Sequence, residues 1–146
     1  MTDSETTKIL AVLKAAYPNA YKGMTREEAF GMIHLWQMQF ASIPAELVMT
    51  AVNRLIGKMA FVPTVAEVKE ELHDIHEDAW EMLWYHSGGA SDLTEQQIAE
   101  YSAIVQALSP IEKERSGNPI LTGQAYAPLP QGSTQDLERR QQHGNA

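Results

Sequence analysis

The stretch "AFVPTVAEVKEEL", residues 60–72, decides how this chain is read. Pro63 has no backbone donor, and the residue before a proline avoids the α region, so the element that precedes it ends there. Thr64 followed three residues later by Glu67 is a capping box, in which the threonine hydroxyl accepts from the N3 amide and the N3 side chain returns to the cap amide. Val65, Val68 and Leu72 then recur at spacings of three and four, one face of a helix. The stripe continues through Ile75, Ala79 and Met82, so a helix that starts at Thr64 can run to His86, about 34 Å.

The same cap recurs outward from this point. Thr2 with Glu5, Thr25 with Glu28 and Thr94 with Gln97 share the spacing, and each opens a helical pattern. A first helix over about 4–16 places Ile9, Leu13 and Ala16 on one face with Leu10 and Tyr17 beside them, and Tyr17-Pro18-Asn19 stops it. A second, about 26–41, carries Ala29, Ile33, Trp36 and Phe40 as its core stripe. Ser42-Ile43-Pro44 resets the chain into a third helix through Val48, Val52, Leu55 and Met59, whose last turn Gly57 weakens. A fifth helix, about 94–108, offers Ile98, Tyr101, Val105 and Leu108 and is expected to end at Ser109-Pro110. The fold class is therefore all-α: a compact N-terminal bundle of about four helices, one additional C-terminal helix and a disordered tail.

Expected boundaries follow. Residues 1–86 form the helical domain with its long acidic last helix, 87–114 a Gly/Ser break plus one helix, and 115–146 the tail. The tail is rich in Gly, Pro, Ser and Gln, too poor in large apolar residues to offset its own ordering. Its Ile120, Leu121, Tyr126, Leu129 and Leu137 are either anchors for a partner or parts of an inert terminus.

Charge divides the chain in the same way. Residues 1–63 hold six Lys/Arg against five Asp/Glu, residues 64–114 two against twelve, and residues 115–146 three against two. The acidic middle repels phosphates, and no basic recognition face appears among the N-terminal helices, so direct duplex DNA binding is not expected. There is no cysteine, which excludes disulfides, thiolate metal sites and a cysteine nucleophile. The N-terminal residues lack a basic region followed by an apolar one, so no secretory signal is expected, and no apolar run reaches bilayer-spanning length.

The search for chemistry finds incomplete sets. Gly57-Lys58 has no upstream glycine at phosphate-loop spacing and no strand before it, and no Gly-x-Ser-x-Gly occurs. In "EELHDIHEDAW", residues 70–80, Glu70 and His73 have di-iron spacing, and His73 and Glu77 share a helix face. A second Glu-x-x-His is missing, and residue 80 is Trp where a zincin has its second histidine. The expectation is the solvated face of an acidic helix, with no metal, no cofactor and no catalytic residue. Trp80 and Trp84, four residues apart, have two open uses: covering helix 5, which needs an apolar surface and favours this use, or anchoring another protein.

Residues 15–72 carry a resemblance. Tyr17-Pro18, Trp36, Ile43-Pro44 and the Phe61-to-Val68 junction, Phe-x-Pro-Thr-Val-Ala-Glu-Val, resemble the N-terminal domain of the phage helicase loader and inhibitor family. The segments "EDAWEMLWYHSG" (77–88) and "YSAIVQALSP" (101–110) are similar to a C-terminal extension in phage proteins sharing that domain. The resemblance implies a non-enzymatic replication protein of the bacterial host cytoplasm. It would bind a hexameric DnaB-like replicative helicase, hold it inactive and deliver it to an origin through an initiator protein. It also implies that a flexible C-terminal region engages the helicase, which with the two tryptophans makes Trp80, Trp84, Leu121, Tyr126, Leu129 and Leu137 the candidate partner-binding residues. Two rival readings are a DNA-binding replication or regulatory protein and a small acidic assembly chaperone.

Overall fold

The computed structural model describes residues 1–86 and 92–117. Five α-helices and one short 3-10 turn make up the ordered elements, with no strand among the described residues. They are α1 (Asp3–Ala16), the 3-10 turn (Pro18–Tyr21), α2 (Arg26–Gln39), α3 (Ala45–Ile56), α4 (Val65–His86) and α5 (Glu95–Gly117). The expected all-α bundle is what the chain forms. The expected break at 87–91 and nearly all of the expected disordered tail lie outside the described residues.

All four capping boxes close. Thr2 and Glu5 exchange hydrogen bonds of 2.7 and 3.3 Å, and Thr25 and Glu28 of 2.8 and 3.2 Å. Thr64 and Glu67 do so at 2.7 and 3.2 Å, and Thr94 and Gln97 at 2.9 and 3.2 Å. Each satisfies two amides that a helix start leaves without partners, and losing such a cap costs about 1 kcal/mol. α3 begins differently: Pro44 precedes it without a side-chain cap. The turn into α2 places Gly23 at φ +80°, a left-handed conformation that a side chain would strain.

The core lies where α1 to α4 meet, joined by the second half of α5, with α3 packed against both α1 and α4 and α1 against α2. Ile9 and Leu13 of α1, Trp36 and Phe40 of α2, Val48, Ala51, Val52 and Leu55 of α3, and Val68, Leu72 and Ile75 of α4 are buried together. The Trp36 and Phe40 rings meet at 5.4 Å between centroids, tilted by 46°. Ala16, expected on the α1 core face, is exposed, because the stripe there ends at Leu13 and the chain turns away at Tyr17.

Helix α5 departs most from expectation. It continues through Pro110 to Gly117 instead of ending at Ser109-Pro110. A proline inside a helix forfeits one backbone hydrogen bond and crowds the preceding turn. Here Leu108 and Ile111 flank it and are both buried in the shared core, and burying two such side chains returns about 3–6 kcal/mol. Tertiary packing therefore carries the helix past its local stop signal. The first half of α5 is different: Ile98, expected on the buried stripe, is exposed, and Tyr101 and Val105 are half-buried.

Candidate partner-binding surface

The junction quoted at the outset is built as a joint. Pro63 is buried, and the Tyr17 hydroxyl donates to the Met59 carbonyl at 3.0 Å, tying the Tyr-Pro corner after α1 to the segment before α4. Glu71, 3% exposed, accepts from Lys58 Nζ at 2.8 Å, and Arg54 Nη1 stands 3.7 Å from it. A carboxylate taken this far out of water needs such compensation. Arg54 also reaches Asp78 at 3.1 Å, so the end of α3 is pinned to α4 at two points about two turns apart. These contacts fix the angle at which α4 leaves the bundle.

Beyond the joint α4 changes character. Ala79 is still buried, but Trp80 is 51% exposed, Trp84 69% and Tyr85 73%. The expectation favouring the two tryptophans as cover for helix 5 is corrected: α5 takes its core contacts from Leu108 and Ile111, near its other end. Trp80, Trp84 and Tyr85 line a shallow cleft together with Glu77 and Glu81. Aromatic rings beside carboxylates form a surface suited to a protein partner with basic or apolar side chains. Trp36, by contrast, is core as expected. Leu121, Tyr126, Leu129 and Leu137, the other candidates, lie outside the described residues.

Several exposed apolar residues were not singled out from sequence. Phe61, inside the junction, is 82% exposed, and Phe30, Leu35 and Met38 of α2 also face solvent. Arg26 sits over the Phe30 ring at 5.5 Å. The signal was present: α2 holds Phe30, Met32, Ile33, Leu35, Trp36 and Met38 within nine residues, more than one core-facing stripe accommodates.

The acidic helix face also differs from expectation. His73 and His76 have side chains only 20% and 13% exposed, because α5 lies over them. His73 Nδ1 is 2.6 Å from Glu112 Oε1, and His76 Nδ1 lies 3.4 Å from Glu77 Oε1 and 3.9 Å from Glu112 Oε1. One turn away, Lys69 Nζ bonds Glu114 at 2.7 Å and Gln39 at 2.9 Å. The pairs Lys69–Glu114 and His73–Glu112 run in opposite sequence directions, so this part of α5 is antiparallel to α4. His73 thus meets a carboxylate of the other helix, a contact that the spacing within α4 does not reveal.

No helix among the described residues is long and apolar enough to cross a membrane. No curated protein and no solved structure matches the chain. Residues 1–69 match the family model G39P_N, the N-terminal domain of a phage helicase loader/inhibitor. The match takes in α1, α2, α3 and the joint and stops in the first turns of α4.

Proposed function

From the match of residues 1–69 to the N-terminal domain of the phage helicase loader/inhibitor family, we propose that this chain is a non-catalytic replication protein that binds a hexameric DnaB-like replicative helicase. It holds the helicase inactive in the cytoplasm of the bacterial host and passes it to an origin through an initiator protein. The family match carries this reading. Supporting it are the acidic outer face of α4, which disfavours duplex DNA, and the exposed aromatic residues that lie beyond the matched segment.

In this proposal residues 1–86 are the scaffold, 87–114 a break and a helix docked on it, and 115–146 the helicase-binding segment, which begins with the last three residues of α5 and orders beyond them on the helicase. Trp80 and Trp84 supply rigid anchors, and Leu121, Tyr126, Leu129 and Leu137 supply spaced apolar ones. A segment that orders on binding gives up affinity for its area yet wraps a large target and releases it, as a delivery factor must.

A pull-down of the helicase encoded by the same phage, with the full chain and with residues 115–146 removed, tests the proposal. The full chain is expected to retain the helicase and the truncated chain to lose most of it. Absence of any complex with the full chain would sink the reading. Tight, salt-sensitive DNA binding in its place would favour a DNA-binding protein.

A further inference from the structure

Residues 70–81 hold six carboxylates and no Lys or Arg, and although Lys58 and Arg54 of the neighbouring segment pair with Glu71 and Asp78, this part of α4 stays acidic. His73 and Glu77 stand one turn apart on it. α5 brings Glu112 across from the other side, and one ligand atom from each of His73, Glu77 and Glu112 lies within 4.8 Å of the others. Ligand atoms held at about 2.0–2.2 Å around a tetrahedral ion are roughly 3.3 Å apart, so an ion would replace the 2.6 Å His73–Glu112 contact, the two atoms parting slightly around it. His73 and Glu112 are half-buried while Glu77 is exposed, which gives two positioned ligands and one on the side where an ion enters.

We propose that His73, Glu77 and Glu112 bind one divalent transition-metal ion of the Zn²⁺ class at the junction of α4 and α5. One imidazole and two carboxylates suit Zn²⁺ or Co²⁺, whereas Mg²⁺ and Ca²⁺ prefer oxygen alone. Three protein ligands leave a fourth position to water. His76, 3.4 Å from Glu77, positions that carboxylate, as outer-shell partners of metal ligands do. Because His73 and Glu112 are 39 residues apart in sequence, the ion would clamp the second half of α5 to α4 and stabilise the fold. This inference is independent of the helicase reading, and neither fails with the other.

The test uses the full chain stripped with chelator and titrated calorimetrically with ZnCl₂. One ion per chain is expected, with a melting temperature higher in Zn²⁺ than in EDTA and no response to MgCl₂. Co²⁺ in place of Zn²⁺ is expected to give visible absorption of a low-coordinate site. His73→Gln and Glu112→Gln are each expected to weaken Zn²⁺ binding at least ten-fold. Glu77→Gln changes an exposed side chain, so it should melt like the wild type in EDTA and still lose Zn²⁺ affinity at least ten-fold. Wild-type affinity in Glu77→Gln and Glu112→Gln, or no Zn²⁺ binding by the wild type, overturns the proposal.

Discussion

In the first half of α4, Val68, Leu72 and Ile75 are buried, and even the carboxylate of Glu71 is enclosed; in the second half, Trp80, Trp84 and Tyr85 stand in solvent. One helix thus carries two kinds of apolar residue. Those near the joint hold α3 and α4 together, and the larger ones beyond it contribute little to the bundle. Large aromatic side chains left exposed on a rigid helix are costly to keep solvated, which supports the proposed role of this end of α4 as a docking surface.

Substitution should break this contrast if it is wrong. The largest effect is expected at Leu72. Leu72→Ala opens a cavity in the core and should lower stability by about 2–5 kcal/mol in chemical denaturation. The double change Trp80→Ala and Trp84→Ala should shift it by no more than about 1 kcal/mol. Comparable losses at the two places would show that the aromatic end belongs to the core after all.

Next in size is the joint itself. Lys58→Ala leaves the buried Glu71 carboxylate with Arg54 at 3.7 Å as its nearest remaining cation, and should cost about 1–3 kcal/mol. The exposed Arg54–Asp78 pair should matter far less, under about 1 kcal/mol for Asp78→Asn. Thr64→Ala removes the cap of α4 and should cost about 1 kcal/mol, with Thr64→Ser restoring most of it.

The smallest effect concerns acid. Hydrogen bonds from the Thr2 backbone and side chain hold the Glu5 carboxyl below its ordinary value. A carboxyl depressed in the folded state contributes stability that is present above its unfolded pKa and lost as pH falls through the folded one. The difference in melting temperature between wild type and Glu5→Gln should therefore be present at neutral pH and fade below the ordinary carboxylate range. A difference that persists in strong acid would mean that the cap does not depend on the charge.

What could be read from sequence was the local chemistry. The four capping boxes and the run of α4 from the Thr64 cap to His86 follow from residues three to four apart, and no distant contact opposes them. What could not be read depended on contacts between distant residues. Pro110 is a valid stop signal overridden by the burial of Leu108 and Ile111. His73 meets Glu112 only because α5 folds back along α4, and periodicity cannot say which helix covers a stripe. For the same reason Trp80 and Trp84 fit both a core and a docking surface until the position of α5 was known.

The most direct measurement is calorimetric titration of the full chain into the hexameric replicative helicase of the same phage, wild type beside Trp80→Ala/Trp84→Ala. The wild type should bind saturably, and the double variant, with its melting temperature essentially retained, at least ten-fold more weakly. Equal affinity would remove the aromatic end of α4 from the interface, and no binding by the wild type would contradict the helicase assignment itself.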